Sequence, residues 1–218
     1  MPDYRAIYNH TVEQDARYNL AENSPGLRAV VQATDRLSRI SGRYLDVGCG
    51  VGFAAQYLSG PFFDANVFGV DVSDSAIDKA KQRMADVPGA SQRFHAVENG
   101  SLPFDDHFFN LVICFDVLEH LDLVDIDQLL SEVDRVLAKG GTFYGSVSCR
   151  HSGVTDPNGD NLHRTVESPG WWIDRLSPDS AEWDGHRQQI AFWIHKPLFT
   201  SNQLRLRSSE RAELKDAA

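Results

Sequence analysis

The segment from Leu45 to Gly52 runs from a short apolar strand into a glycine-rich turn, and it constrains the fold more than any other part of the chain. Gly48, Gly50 and Gly52 have no Cβ at positions where the backbone must turn sharply and approach a ligand. The helix expected next offers free N–H groups to an anionic part of that ligand. A dinucleotide fingerprint, G-x-G-x-x-G, requires its third glycine where Phe53 stands, so the turn departs from that fingerprint.

Two further strand-like segments end in acidic side chains. Val67 to Val70 is apolar and leads into Asp71, 23 residues beyond Gly48. An acid at a strand end, about 20 residues past the glycines, accepts hydrogen bonds from the hydroxyls of an unphosphorylated ribose. A third strand, Phe94 to Val97, leads into Glu98. The alternation of strands with helix-length segments predicts a doubly wound parallel sheet, and such sheets bind ligands at the carboxyl ends of their strands.

The later strands complete a recognisable series. Phe109 to Phe115 is followed by Asp116-Val117-Leu118-Glu119-His120, and Thr142 to Ser148 follows the pair Gly140-Gly141. Over roughly Tyr44 to Ser148, the order of these motifs resembles that of the class I S-adenosylmethionine-dependent methyltransferases, in particular their small-molecule type. The chain departs from the usual pattern of this family with Val97, Glu98 and Lys139.

The resemblance implies an α/β fold: a doubly wound, mostly parallel, seven-stranded Rossmann-like sheet with helices on both faces. It also implies S-adenosyl-L-methionine as the cofactor. The cofactor-binding residues that the resemblance indicates are Tyr18, Asp46, Gly48, Cys49, Gly50, Gly52, Asp71, Val72, Glu98, Asn99, Asp116 and Val117.

The remaining segments suggest how the chain is organised. Residues 1–40 are predicted to be helical, and the resemblance implies that they form a lid over the cofactor. Residues 41–200 are the expected S-adenosylmethionine-binding domain, with residues 149–180 as its substrate-loop region, and residues 201–218 are a C-terminal tail. Helical spacing predicts that one apolar face of the lid carries Leu27, Val30, Val31, Thr34, Leu37 and Ile40.

The segment that follows the fifth strand is a candidate acceptor site. Cys149 to Ser168 is polar and leaves the sheet at its carboxyl edge, and long loops in compact domains are commonly lids or binding loops. A helix is expected from Ser168 to Leu176, opening on two tryptophans, of which one should pack inward and the other could line a pocket. An edge hairpin is expected within Trp183 to His195. The substrate-binding candidates are Asn161, Arg164 and Trp172.

Histidines supply the candidate general bases. A hydroxyl acceptor must lose its proton during or before attack, and imidazole is the usual agent near neutral pH. His163 and His151 are the two candidates, ahead of His120, which can merely cap or pack its helix start. Asp156, Asp160 and His163 could share a metal ion, but loop acids are usually solvated, so no metal site is predicted.

Composition limits the partners. The formal net charge of −10 argues against a broad nucleic-acid surface, which requires clustered Lys and Arg. Three cysteines without C-x-x-C spacing indicate neither a zinc site nor a disulfide framework. No apolar run reaches membrane-spanning length, and the N-terminus lacks the layout of a signal peptide, so we expect a soluble, cytoplasmic protein with no membrane partner.

The expected function is methyl transfer from S-adenosylmethionine to a small-molecule or glycan-like acceptor, with oxygen as the favoured atom. An N-methyltransferase or a protein methyltransferase would differ only in the loop of residues 151–168. An NAD(P)-dependent oxidoreductase is disfavoured by Phe53. A catalytically inert S-adenosylmethionine-binding module stays open, because the glycines and Asp71 indicate binding and not turnover.

Overall fold

The computed structural model describes residues 3–98 and 100–195, which build a seven-stranded sheet in the order β3-β2-β1-β4-β5-β7-β6. The first five strands are parallel, and β7 is antiparallel to both of its neighbours. The strands are β1 (Gly42–Val47), β2 (Ala65–Asp71), β3 (Phe94–Ala96), β4 (Phe109–Phe115), β5 (Leu137–Ser148), β6 (Ser180–Asp184) and β7 (Gln189–His195). The predicted fold class is confirmed, while Asn99 and the expected tail of residues 201–218 lie outside the described residues.

Helices cover both faces of the sheet, and their starts follow from local sequence. The helices are α1 (Tyr4–Gln14), α2 (Pro25–Gln32), α3 (Thr34–Leu37), α4 (Phe53–Leu58), α5 (Asp74–Arg83), α6 (Leu123–Val136) and α7 (Pro169–Leu176). Ser24, Ser73 and Ser168 each accept a backbone N–H of the first turn of α2, α5 and α7, which satisfies a donor that has no partner within the helix. The helix expected from Ser168 is therefore present, with Ser168 as its cap.

The central strands are buried on both sides, which explains their near-continuous apolar sequences. On one face, Tyr44 and Leu111 pack with residues of α2, α4 and α5. On the other face, Leu45 and Val112 pack with residues of α6 and α7. The alternation of neighbouring residues between the two faces is the ordinary period of a strand.

Two expectations about packing are corrected here. Trp172 is fully buried in the core layer that contains α6 and α7, so it packs in the core and does not contact an acceptor. Its neighbour Trp171 lies half-buried, with the two ring centroids 4.9 Å apart. Val31, expected on the apolar face, is 47% exposed, because helix α2 turns Val30 inward instead.

The start of β5 differs from the expected position. β5 begins at Leu137 rather than Thr142, and a bulge opposite Phe109 to Leu111 takes up the extra residues, with Gly140 at φ +74°. The expected edge hairpin is present as β6 and β7. No helix among the described residues has the length and apolar character needed to cross a membrane.

Candidate active site

A cavity of about 970 Å³ lies at the carboxyl edge of the parallel strands. This volume is at the upper end of the range for small-molecule sites, roughly 300–1,000 Å³, so there is room for a nucleotide-sized cofactor and a second ligand. The turn after β1, the end of β2, the turn after β4 and residues of the N-terminal segment all contribute to its wall.

The glycine turn forms the floor of the cavity. A Cβ on Gly48 would stand 2.3 Å from a methyl of Val117, so only glycine allows the turns after β1 and β4 to approach this closely. Gly50 has φ +51°, and the position of its missing Cβ faces open space. Gly52 does not line the cavity: its Cβ would meet the backbone of Ala80 at 3.2 Å, so the predicted cofactor contact becomes a packing contact with α5.

Asp71 fixes the shape of this turn from the end of β2. One carboxylate oxygen accepts the backbone N–H of Gly50 at 2.8 Å, and the other accepts that of Ser73 at 2.9 Å. Burial raises the pKa of Asp71, while these backbone N–H groups oppose the shift. Each oxygen has a second lone pair, so the carboxylate can still accept bonds from a ligand. Cys49 and Val72 line the cavity beside it.

Asp46 lies in the same wall with an unsatisfied oxygen. The side chain is buried, and no described residue is hydrogen-bonded to its Oδ2. Burial, reinforced by the neighbouring Asp71, raises the pKa of Asp46 to about 8. A buried carboxyl without a partner is costly, so a ligand that supplies a donor or a positive charge would fit this wall.

Asp116 and Val117 occupy the turn after β4, as predicted for cavity residues. Asp116 has φ +53°, a conformation that non-glycine residues rarely adopt and that clusters at functional sites. Its Oδ1 accepts hydrogen bonds from the hydroxyl of Ser146, at 2.6 Å, and from the amide of Gln189. Burial raises the pKa of Asp116. The sequence did not indicate a role for Gln189, because a strand pattern does not show which distant residue a side chain will contact.

His120 and His163 line another part of the cavity as a pair, with ring centroids 4.6 Å apart and planes at 87°. Nδ1 of His120 lies 3.0 Å from the carbonyl of Leu162, and Nδ1 of His163 lies 2.5 Å from the carbonyl of Arg150. A carbonyl only accepts, so both Nδ1 atoms carry the proton and both Nε2 atoms are left as acceptors. Burial lowers the pKa of both imidazoles, that of His120 to about 4.

Glu119 stands behind the two imidazoles and was not singled out from the sequence. It is fully buried, and Oε1 accepts the backbone N–H of Ser148 at 3.0 Å. Its Oε2 has no hydrogen-bond partner among the described residues. Burial and the nearby Asp116 raise the pKa of Glu119. The sequence feature that could have identified Glu119 is an acidic residue soon after the end of β4.

The other predicted acceptor residues lie away from the cavity. His151 is exposed and is not part of its wall. Asn161 instead closes the loop on itself, accepting from the backbone N–H groups of Ser152 and His163. Arg164 pairs with Asp122 at 3.3 Å, beside a separate, smaller concavity. Of the acceptor residues predicted in this loop, His163 lines the cavity, together with Ser152, Gly153, Val154 and Leu162, which were not predicted.

Two further predicted site residues are instead engaged by other groups of the protein. Glu98 reaches the rim of the cavity, but its carboxylate is 68% exposed and pairs with Arg5 at 3.1 Å. Asp156, considered with Asp160 for a metal, accepts the backbone N–H groups of Asn158 and Asp160 and so folds its own loop. His163 lies instead with Glu119 and His120.

The N-terminal segment covers the cavity through its aromatic side chains. Tyr18 lines the wall and is 37% exposed, and Tyr8 packs edge-on against His120 with ring centroids 5.8 Å apart. Helix α1 is held on two sides: Tyr4 donates to Asp125 at 3.0 Å, and Asn9 accepts the hydroxyl of Ser73 at 2.8 Å. These bonds seat α1 across the starts of α5 and α6.

Comparison with known proteins agrees with this arrangement. Residues 45–145 match the family described as a methyltransferase domain. Together with the strand order and the glycine turn, this match gives residues 45–145 the character of a class I S-adenosylmethionine-dependent methyltransferase domain. S-adenosylmethionine is accordingly the cofactor of the domain, and Asp46 with its unsatisfied oxygen, Asp71 and the open space beside Gly50 fit such a ligand.

The chain is similar to relatives with different acceptors. It is 32% identical to the sterol 24-C-methyltransferase of Aspergillus fumigatus over 56% of this chain and 33% of that protein. It is 36% identical to the fatty-acid O-methyltransferase of Mycolicibacterium smegmatis over 46% of this chain and 35% of that protein. The chain thus spans about a third of either relative. The fold is similar to the PH0226 protein of Pyrococcus horikoshii, with TM-score 0.65 and 20% identity, over 85% of this chain and 98% of that one.

Proposed function

We propose that the chain is an enzyme that transfers a methyl group from S-adenosylmethionine to a small-molecule or glycan-like acceptor, with oxygen as the acceptor atom. The observation that carries the proposal is one cavity with two unlike walls. The cofactor wall consists of Asp46, Asp71 and the glycine turn, which offer carboxyls and free backbone groups. The acceptor wall consists of His120 and His163, which offer unprotonated Nε2 atoms. When bound, the cofactor supplies an electrophilic methyl group on a sulfonium sulfur.

On the cofactor wall, the residues mainly bind and orient. Asp71, at the end of β2, has spare lone pairs that can accept hydrogen bonds from the ribose hydroxyls. In folds of this type, an acid about 20 residues past the glycine turn has this role. Gly50 leaves room beside its backbone, and Val72 presents an apolar surface for the adenine. Asp116 and Val117 line the part of the cavity nearest the histidines. Proximity and orientation of this kind account for a large share of catalysis when the electrophile is already reactive.

On the acceptor wall, His163 is the group suited to take a proton. Its Nδ1–H bond to the carbonyl of Arg150 fixes the tautomer, so Nε2 has the lone pair. Burial lowers the pKa of His163, so the imidazole is mainly unprotonated at neutral pH. Removal of a hydroxyl proton at this position makes the acceptor oxygen nucleophilic. The N-terminal segment, residues 1–40, acts as the lid that keeps water from this wall.

Methyl-transfer assays test the proposal directly. The purified protein is incubated with S-adenosylmethionine and a panel of hydroxylated lipids, phenols and sugars, and S-adenosylhomocysteine is quantified by mass spectrometry. We expect turnover with a hydroxylated acceptor, and a loss of at least about 100-fold in kcat for His163→Ala with cofactor affinity unchanged. His186→Ala, at the exposed hairpin turn, is the matched control and should retain full activity.

The acceptor atom is the part of the proposal that the assay can revise. The names of the relatives include both a C- and an O-methyltransferase, so carbon acceptors belong in the same panel. Nitrogen acceptors and whole proteins should be included for the same reason. Cofactor binding without turnover on any of these acceptors would favour a binding module that has lost catalysis, and it would contradict the enzyme proposal.

A further inference from the structure

Glu119, His120 and His163 converge beside the cavity, which the two histidines line, although they come from two separate segments of the chain. One ligand atom of each residue lies within 4.8 Å of the ligand atoms of the other two. Glu119 and His120 belong to the turn after β4, and His163 belongs to the loop after β5. We propose that these three side chains bind a single divalent transition-metal ion, with Zn²⁺ as the best fit; when bound, the ion would occupy Nε2 of His163 and would itself acidify an acceptor hydroxyl in place of the free imidazole base.

The donor atoms are prepared for such a role. Each imidazole donates its Nδ1–H to a backbone carbonyl, that of Leu162 for His120 and that of Arg150 for His163. This outer hydrogen bond is the one that metal-binding histidines ordinarily make, because it fixes the ring and leaves the lone pair of Nε2 to the ion.

The carboxylate adds an independent observation. Glu119 is fully buried, Oε1 is satisfied by the backbone N–H of Ser148, and Oε2 has no hydrogen-bond partner among the described residues. Buried polar atoms are nearly always satisfied, so an unpartnered oxygen on a carboxyl group this close to two imidazoles indicates a missing electropositive group. A cation would supply that group.

The set of donors selects the type of ion. Two imidazole nitrogens and one carboxylate oxygen suit Zn²⁺ and neighbouring transition metals better than Mg²⁺ or Ca²⁺, which prefer oxygen. Ligand atoms around tetrahedral Zn²⁺ lie about 3.4 Å apart, so closing the site requires shifts on the order of 1 Å. His163 is only half-buried and can make that shift. Three protein ligands leave a position open towards the cavity, as in catalytic zinc sites.

The backbone supports the same arrangement. The carbonyl of Glu119 accepts the N–H groups of Arg164 and Thr165, at 2.8 and 3.0 Å, and Thr165 donates its hydroxyl to the carbonyl of Leu121 at 2.7 Å. The two segments that supply the ligands are therefore bound to each other next to the site, which keeps the three donors close together.

Titration with Co²⁺, a coloured substitute for Zn²⁺, tests the proposal without any activity measurement. The whole chain, treated with chelator and without an affinity tag, is titrated with Co²⁺ and followed by its visible absorption, and Zn²⁺ is then added as a competitor. We expect one equivalent of Co²⁺ with a spectrum of four- or five-coordinate nitrogen and oxygen ligation, displaced by Zn²⁺. His163→Ala and His120→Ala should each weaken binding by at least about tenfold.

Two controls make a negative result informative. His186→Ala removes an exposed histidine far from the cluster and should leave the titration unchanged. Because Glu119 is buried and its variants can fail to fold, His163→Ala is the decisive variant, and its fold is checked by circular dichroism. Zn²⁺ should raise the melting temperature of the unmodified chain but not that of His163→Ala. Absence of the Co²⁺ spectrum, or equal binding by the unmodified chain and His163→Ala, would overturn the proposal.

Discussion

The raised pKa of Asp46 leads to a prediction about how the two forms of the cofactor bind as the pH changes. Asp46 is buried, its Oδ2 has no described partner, and burial together with Asp71 raises its pKa from 3.8 to about 8. At pH 7 the Asp46 carboxyl of the free protein is therefore mainly protonated. S-adenosylmethionine carries a positive charge at sulfur, and its demethylated product does not.

The sign of the effect follows from linkage. A positive ligand in the same cavity favours the ionised carboxyl and lowers the pKa of Asp46 in the complex, so binding releases a proton. The affinity for S-adenosylmethionine then rises with pH through the window below about 8 and levels off above the pKa of the free protein. Each unit by which the cofactor lowers that pKa is worth about 1.4 kcal/mol, or tenfold in affinity, between the two limits.

Calorimetric titration between about pH 6 and pH 8.5 measures this effect. We expect the affinity for S-adenosylmethionine to rise at least about tenfold more than the affinity for S-adenosylhomocysteine, which shares the amino and carboxyl groups and thus controls for their titration. In Asp46→Asn the difference between the two ligands should disappear. The reasoning is refuted if both ligands respond equally to pH in the unmodified chain, or if Asp46→Asn retains the difference.

Three substitutions test other parts of the structure. Asp71→Ala should weaken S-adenosylmethionine binding about tenfold or more in calorimetry, because the proposed ribose bonds and the anchor of the glycine turn are lost together, and unchanged affinity would remove the ribose assignment. Gly50→Val should abolish S-adenosylmethionine binding. The control Gly89→Val, at φ +70° outside the cavity, has a similar backbone cost of about 1–2 kcal/mol and should bind normally. Equal losses of binding in the two variants would show that backbone strain alone is responsible. Trp172→Ala should reduce the free energy of unfolding by about 3–5 kcal/mol in urea, against about 0.5 kcal/mol for the half-exposed Trp183→Ala, and equal effects would contradict the core position of Trp172.

The parts of the fold that were predictable depend on short-range sequence signals. The glycine turn, the acid at the end of β2 and the serine caps each have a local physical cause, so they can be recognised without knowledge of distant residues. The mostly parallel, doubly wound character of the sheet follows once the alternation of strands and helices is recognised, because few topologies satisfy it. The position of Asp71 at the carboxyl edge of the sheet is therefore predictable from the sequence alone.

The parts that were missed depend on contacts between distant segments. Gln189 reaches Asp116 across 73 residues, and the turn containing Glu119 meets His163 across a gap of more than 40. Nothing in the local pattern of a strand or loop encodes such a pairing. Likewise, Trp171 and Trp172 are adjacent and chemically identical, and only the rotation of α7 against the sheet decides which one is buried.

The central claim is that this cavity holds S-adenosylmethionine, and equilibrium titration of the purified chain tests it most directly. S-adenosylmethionine, S-adenosylhomocysteine and NADH are titrated in parallel, and the stoichiometry of each is read from the same calorimetric experiment. We predict one site per chain with micromolar affinity for both sulfur compounds and no saturable binding of NADH. Saturable binding of NADH together with no heat from either sulfur compound would contradict the assignment of the cofactor and, with it, the proposed reaction.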